Sequence, residues 1–452
     1  MSVEIVILAA GQGTRMRSAL PKVLHPIAGV PMVQHVINTS QQISNKIHVV
    51  VGHGAEDVKR LSSGVMQWSM QEQQLGTGHA VLQALPNIDD DSSVLILYGD
   101  VPLIRLSTLQ TMIENVNAKN LNLLTVKLSD PTGYGRIVRN ADGDVIAIVE
   151  HKDASEFQKS ISEVNTGIIS VKANLLKKWL PLLSNNNAQG EYYLTDIIEI
   201  ANSKGCSVTA IQPKYIEEVK GVNNKLQLSE LERWYQRQIA DQIMAKGVTL
   251  IDPLRFDCRD EMSVGRDVTI DVNNVFMGNV TLGDNVTIGP NCVITDSVIG
   301  NNVVVEANSI IEKSKVGNEC VIGPFARIRP GTELASNVKI GNFVETKKSI
   351  IGAGSKVNHL TYIGDALIGS GTNVGAGTIT CNYDGVNKHK TVLGDNVFIG
   401  SNTSLVAPVT IKDGSTVGAG STITRDVAEG ELAIARGKQR NIQGWERPQK
   451  KQ

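Results

Sequence analysis

Two groups of residues in this 452-residue chain have the types and spacing for chemistry, and they lie in opposite halves. In the first, Leu8-Ala9-Ala10-Gly11-Gln12-Gly13 is followed by Arg15 and Lys22. A glycine turn exposes backbone N–H groups, and two cations close behind it could converge on a polyphosphate. The loop is not the dinucleotide fingerprint, because Met16 stands where its third glycine belongs, and no Gly-Lys-Ser/Thr follows to make a Walker A loop. Asp100 closes the apolar run from Val94 to Gly99 and adds a carboxylate at the same sheet edge. A carboxylate beside a phosphate cradle suits Mg²⁺, which takes one or two protein oxygens and fills its shell from phosphates and water. The commoner fate of an Asp after Gly is a turn or cap residue.

The second group centres on His359 in Asn358-His359-Leu360-Thr361-Tyr362. It shares its half with only one other clear histidine, His389, too few for a three-histidine zinc site within one chain. An imidazole titrates near neutrality and can serve as a general base. A lone outward histidine is also commonly inert.

Periodicity indicates what holds these residues. From about Val264 to Ile423 an aliphatic residue recurs every sixth position, as at Leu282, Ile288 and Ile294, at Ile322, Ile328, Leu334 and Ile340, and from Leu393 to Ile423. Glycine or another small residue usually follows. A period of six fits neither a helix nor an alternating strand, but it does fit the hexapeptide repeat of a parallel β-helix. Each hexad supplies a short strand with its aliphatic side chain inward, and the small residue makes a corner of positive φ or crowded backbone. At a strand spacing of ~4.8 Å the prism is expected to have roughly nine coils and a length of about 40 Å. His359 takes the third place of its hexad, so its ring is expected to leave the corner outward. The run from Thr380 to Thr391 breaks the period and is expected to project as a loop, where an insertion is better read as functional than as noise. Periodicity alone fits a scaffold or assembly surface equally well.

In the first half, Val3 to Leu8, Ile47 to Val51, Val94 to Leu97, Leu123 to Val126 and Ile168 to Val171 are short apolar runs alternating with helix-like stretches. That is the pattern of a doubly wound α/β (Rossmann-like) sheet, whose ligands sit beyond the carboxyl ends of the strands. The expected division is 1–225 for this domain, 226–246 for a helical linker and 247–452 for the β-helix. The linker is read from Leu228, Leu231, Tyr235, Ile239 and Ile243 at helical spacing, with Gly247 as its stop.

Composition excludes several classes. A formal net charge of −1 gives no field for nucleic acid or an anionic membrane. Cys206, Cys258, Cys292, Cys320 and Cys381 are odd in number and widely spaced, against both a disulfide framework and a zinc cluster. A reducing cytoplasm is the expected setting. The opening segment lacks a basic n-region and reads as a first strand, not a leader.

The segments LAAGQGTRMRSALPKVLH from Leu8, QLGTGHA from Gln74 and LYGDVPL from Leu97 resemble the sugar-1-phosphate nucleotidylyltransferases. With DPTGYGRI from Asp130, VEHKD from Val149, VNTG from Val164, NNNAQGEYYLTD from Asn185, EVKGVNN from Glu218 and the hexad half, the resemblance narrows. The whole chain resembles the bacterial bifunctional N-acetylglucosamine-1-phosphate uridylyltransferase and glucosamine-1-phosphate N-acetyltransferase family. That resemblance implies a left-handed β-helix, a homotrimer with sites between neighbours, and small-molecule substrates: UTP, N-acetylglucosamine 1-phosphate, glucosamine 1-phosphate and acetyl-CoA. It implies that Leu8, Ala9, Ala10, Gly11, Arg15 and Lys22 meet the nucleotide and its phosphates, with Tyr98 and Gly99 beside them. Gln71, Gln74, Gly76 and Thr77 would read the uracil, and Gly135, Glu150 and Asn165 would hold the sugar. Asp100 and Asn223 would hold Mg²⁺. In the second half, His359 would take the proton of the attacking amine, and Arg329, Lys347, Tyr362, Asn373 and Lys388 would grip the sugar phosphate. Ala376, Asn382, Tyr383, Ser401, Ala419 and Arg436 would contact acetyl-CoA. Two other readings stand beside it: a single-activity nucleotidylyltransferase with a regulatory solenoid, and a nucleotide-binding assembly scaffold.

Overall fold

Alternate side chains of the first apolar run serve two cores. In Val3–Ala9, Val6 and Leu8 pack with Ala80, Val81 and Ala84 of the helix Thr77–Ala84, while Ile5, Ile7 and Ala9 pack with Val33, Val36 and Ile37 of the helix Met32–Gln41. A strand covered on both faces must be apolar throughout, which explains its continuous pattern. The computed structural model describes residues 2–114 and 116–450, and contacts divide the chain into two units between Tyr235 and Gln236.

In the first unit the sheet runs Ser207–Ile211, Asn120–Lys127, Glu163–Lys172, Ser93–Tyr98, Val3–Ala9, Ile47–Val51, Gln67–Met70. All neighbours are parallel except Glu163–Lys172, which is antiparallel to both strands beside it and to Arg136–Arg139, which pairs with it off this path. After Val3–Ala9 the chain builds outward on one side with Ile47–Val51 and Gln67–Met70, then crosses to Ser93–Tyr98 on the other. A crevice therefore opens where the carboxyl ends of Val3–Ala9 and Ser93–Tyr98 diverge. Gly11 and Asp100 follow those two strands directly.

The second unit is a left-handed β-helix whose strands form three parallel sheets of 11, 10 and 9. It begins earlier than the hexads show, at Thr249, so there are about ten coils instead of nine. Thr249–Leu250 and Phe256–Arg259 pair in the same register without the aliphatic-glycine pattern, which first appears at Val264-Gly265 on Met262–Val264. Helix Lys225–Ala245 explains the exception: Ala240 and Ile243 enter the solenoid core. The buried Gln236 amide donates to the Cys258 carbonyl (2.8 Å) and accepts from the Cys258 N–H (2.8 Å), standing in for a strand neighbour. Earlier on the same helix, within the first unit, Tyr235 packs edge-on against His35 and Glu232 accepts from the Ala28 N–H (2.7 Å). Gly247, at φ 100, ends the helix as expected, its N–H donating to the Met244 carbonyl.

The corners differ from expectation in one respect. Positive φ falls on Asn285, Asn291, Asn302, Asn308, Asn337, Asn396 and Asn402, at 54 to 60°, whereas of the glycines that follow the aliphatic residues Gly323 alone has it. Asparagine tolerates that conformation. The glycines are needed because successive coils nearly touch there: a Cβ on Gly341 would lie 2.0 Å from the Asn358 carbonyl oxygen of the next coil.

All five cysteines are free and four are buried. No helix among the described residues is long and apolar enough to cross a membrane.

Gly341→Ala should therefore force adjacent coils apart and destabilise the solenoid by about 1–3 kcal/mol, the usual cost of overpacking. Thermal and urea denaturation of the full chain measure it; an unchanged midpoint would mean the coils separate freely.

Candidate functional site

The crevice of the first unit is a cavity of about 240 Å³ lined by Leu8, Ala9, Ala10, Gly11, Lys22, Gln71, Gln74, Gly76, Thr77, Tyr98 and Asp100, with Val23, Ala80 and Glu191. Gln74 Nε2 donates to the Ala10 carbonyl (2.5 Å), and Gln71 Nε2 to the Gly76 carbonyl (3.0 Å), so both amides are held by backbone on the cavity wall. Gly99 follows in the turn, its N–H on the Leu8 carbonyl. Burial raises the Tyr98 phenol, with Glu150 and Asp100 adding to the effect, so it stays protonated as a donor.

Gly135, Glu150 and Asn165 come together on a neighbouring strip of the same unit. The Asn165 N–H donates to the Gly135 carbonyl (2.9 Å), Arg136–Arg139 pairs with Val145–Val149, and Gly167 lies against the Tyr98 ring. Burial pushes the Glu150 carboxyl up, reinforced by Asp196, Asp153 and Glu191 and opposed by the Thr195 hydroxyl (3.2 Å). Such a carboxyl is fitted to exchange hydrogen bonds with hydroxyl groups.

Three segments meet at the cavity mouth. The Lys22 ammonium contacts both Asp100 Oδ2 and Asn223 Oδ1 (3.1 Å to the latter), and Arg15 donates to the same Asn223 oxygen (2.8 Å). The Val222 N–H binds the Asp100 carbonyl (2.9 Å), tying the Gly221-Val222-Asn223 turn to the strand end. A carboxylate and an amide oxygen thus converge on one cation, which is the donor chemistry a hard divalent ion requires. Among the described residues no three His, Cys, Asp or Glu side chains are grouped to hold a metal, so an ion here would complete its shell with phosphate and water oxygens.

In the second unit one corner of the solenoid carries a vertical column. Asn342 and His359 are register partners, and successive coils then place Ala376, Ser401 and Ala419 below, with the Ala376 and Ser401 carbonyls each accepting a backbone N–H from the next coil. Arg436 lies at the foot, donating to the Ala419 carbonyl (2.8 Å). His359 is exposed, as its place in the hexad predicts. The Asn342 amide oxygen accepts from Nδ1–H (2.9 Å), so the lone pair is on Nε2.

Beside the column, on one sheet, Arg329, Lys347 and Tyr362 lie on adjacent coils, and Arg329 pairs with Glu345 (2.6 Å). Lys388 reaches the same place from the off-period loop: the Lys347 amine is pushed down chiefly by the Lys388 charge, then by Arg329. Asn382 and Tyr383 begin that loop, Asn382 buried and Tyr383 exposed. Asn373 is not part of this group; it pairs with Lys356 on the sheet across the corner.

Known proteins match both units. A MobA-like NTP transferase domain model matches residues 5–155, a GMPPB C-terminal domain model residues 258–340, and a bacterial transferase hexapeptide (six repeats) model residues 390–425. A putative glucose-1-phosphate thymidylyltransferase from Bacillus anthracis matches at TM-score 0.41 and 20% identity, over 51% of this chain and 94% of that one. Bifunctional protein GlmU of Marinobacter nauticus is 62% identical over 450 residues, 99% of each chain. That of Cellvibrio japonicus is 62% identical over 451 residues, 99% of this chain and 100% of the other. The chain belongs to the GlmU family.

Two residues at this GlmU-family chain's sites escape sequence reasoning. Glu191 lines the cavity from a loop without periodicity. Asn342 stands one coil above His359, 17 residues earlier, and the signal that finds it is the coil period of 17 or 18, not the hexad.

If the Lys22 ammonium occupies the cation position between Asp100 and Asn223, Lys22→Met should expose a divalent site. Mn²⁺ binding without nucleotide, followed by electron paramagnetic resonance, should tighten by about 10-fold, as expected when an intramolecular charge-assisted competitor is removed. Unchanged affinity would show that Lys22 does not compete.

Proposed function

We propose that the two sites divide the work of a bifunctional transferase between the units. The chain is an enzyme of UDP-N-acetylglucosamine synthesis, an N-acetylglucosamine-1-phosphate uridylyltransferase and a glucosamine-1-phosphate N-acetyltransferase, and it supplies cell-wall synthesis. One observation carries this: the 62% identity to bifunctional relatives extends over 99% of the chain, through both site-bearing units. The working division is 1–225 for uridylyl transfer, 226–246 as helical connection and 247–452 for acetyl transfer.

In the first site the uridine of UTP lies along Leu8–Gly11, its base read by Gln71, Gln74, Gly76 and Thr77. Gly135, Glu150 and Asn165 hold N-acetylglucosamine 1-phosphate so that a phosphate oxygen faces the α-phosphorus. That oxygen attacks, the bond to the bridging oxygen breaks, and pyrophosphate leaves. Arg15 and Lys22 neutralise the charge that accumulates on the phosphates, with no covalent enzyme intermediate. Mg²⁺ held by Asp100 and Asn223 would supply further positive charge across the same phosphates.

In the second site Arg329, Lys347 and Lys388, with Tyr362, bind the phosphate of glucosamine 1-phosphate. His359 Nε2 accepts a proton from the amine, whose nitrogen attacks the thioester carbonyl and releases the thiol of coenzyme A. The small residues Ala376, Ser401 and Ala419, on three successive coils about 4.8 Å apart, leave room for the pantetheine arm. Asn382 and Tyr383 flank it, and Arg436 meets the nucleotide phosphates.

The site is completed between copies of the chain, in a cytoplasmic homotrimer that engages neither nucleic acid nor membrane. Support comes from Asn373, which sits across the corner from the other phosphate-site candidates. Phe325, Phe343 and Leu360 add to it: they stack on successive coils at 49%, 55% and 65% exposure, each in the left-handed backbone region. Bulky residues adopt that conformation at a cost, and an exposed apolar ridge that bears it is explained by a partner that covers it.

Asp100→Ala should abolish uridylyl transfer while acetyl transfer survives. His359→Ala should do the reverse, slowing acetylation by about 10²-fold or more, the worth of a positioned base. Each half-reaction is assayed by product mass with its own substrates; loss of both activities in either variant would contradict the division. Phe343→Asn, which relieves the backbone cost, should shift the light-scattering mass toward monomer and reduce acetylation alone. A fully active monomer would remove the shared site.

A further inference from the structure

Between Val374 and Ile399 one coil takes 25 residues where its neighbours take 17 or 18, and the excess lies within the segment from Asn382 to Lys390. Such an excursion usually loses definition at its tip. This one closes on itself. Tyr383 and Lys388 form an antiparallel bridge, and the His389 N–H donates to the Asn382 carbonyl (2.8 Å). Its feet are fixed by Asp365, whose Oδ2 accepts from Asn382 Nδ2 (2.6 Å) and whose carbonyl accepts from the Thr391 N–H (3.3 Å).

The hub is Asp384. Its Oδ1 accepts from the N–H groups of Val386 (2.8 Å) and Asn387 (2.6 Å), shaping the turn, while its Oδ2 pairs with His389 Nε2 (2.7 Å) on the returning arm. No apolar packing does this work: Tyr383 and Val386 are 59% and 83% exposed. Polar contacts must set the hairpin's shape.

They act against a repulsion. Lys388 is brought beside Lys347 and Arg329, and the depressed Lys347 amine registers that crowding. Like charges brought this close favour a loop that swings away.

We propose that Asp384 and His389 are positioning residues for acetyl transfer, a clasp that holds the hairpin so that Lys388 meets the sugar phosphate and Asn382 and Tyr383 meet the acyl donor. This rests on the reading above that those three residues contact substrates. The clasp touches neither substrate. It lowers the cost of the binding conformation, so its loss falls on KM and spares kcat.

The test uses the full chain with His389→Phe, which keeps a ring without the hydrogen bond, and Asp384→Asn, which keeps the turn contacts without the charge. The double variant and Lys388→Ala complete the set. KM for glucosamine 1-phosphate and for acetyl-CoA should each rise about 2- to 5-fold in the single variants, the scale of a partly exposed ion pair. kcat should stay within about 2-fold, uridylyl transfer and the unfolding midpoint should be unchanged, and the double variant should be no worse than the worse single one.

Unchanged KM in His389→Phe while Lys388→Ala raises it would overturn the clasp and leave the substrate reading standing. A fall in kcat with KM unchanged would also overturn it, placing His389 in the chemistry. If Lys388→Ala leaves the KM for the sugar phosphate unchanged, the substrate reading fails and the clasp falls with it.

Discussion

Backbone hydrogen bonds from each coil to the next, in a register of 17 or 18 residues, are the constraint on which the second unit depends. They convert positions far apart in sequence into neighbours at one strand spacing, about 4.8 Å. A residue on such a scaffold has an address. The Asn342–His359 contact, the small-residue column below it and the Arg329, Lys347 and Tyr362 face beside it all follow from that repeat. The same regularity makes departures informative. A coil of 25 residues cannot fit the prism, so its surplus must leave the wall, and it leaves after Cys381, at the far end of the sheet that carries Lys347 and Tyr362.

The first unit solves positioning differently. A twisted sheet offers no repeating address, and its one special place is where the chain reverses its direction of growth, between Val3–Ala9 and Ser93–Tyr98. Segments arriving from three parts of the chain have to be tied together there. The Lys22 contacts to Asp100 and Asn223, with Arg15 on Asn223, do so by charge and hydrogen bonds. The pair is only partly exposed, 13% and 18%, so it is less screened than a surface ion pair.

This contrast explains what the sequence discloses. Coil hexads are legible because each repeats one environment, and that environment selects the same aliphatic and small residues each time. The first coils are not, because Ala240, Ile243 and Gln236 of the helix meet them in place of another coil, and the selection changes. Strand existence in the first unit is legible from Val3 or Ile47 onward, but the antiparallel sense of Glu163–Lys172 is not, since an apolar run has no direction. The outward turn of His359 can be derived from its hexad. Its partner Asn342 needs the coil count, which slips between 17 and 18. Gln71 and Gln74 carry no charge and sit in no motif of evident chemistry; they become visible through family resemblance and then through the cavity they line. Asn373 is read into the phosphate group by resemblance, while the fold sets it on another face.

The two sites also handle anion charge in opposite ways. In the crevice Lys22 is paired with the Asp100 carboxylate and Arg15 with the Asn223 amide, so bringing in phosphates means exchanging one set of partners for another. On the prism Arg329 alone has an acidic partner in Glu345, while Lys347 and Lys388 face each other. That site is repulsive until a phosphate arrives. Displacement at an α-phosphorus concentrates the charge of several phosphate groups in one place, and the crevice answers it with side-chain cations beside a carboxylate. Acyl transfer by a neutral amine moves one proton, the task proposed above for the oriented His359 imidazole. Each unit is therefore matched to its chemistry by how it stores charge: paired at the sheet's switch point, and unpaired but mechanically restrained on the solenoid.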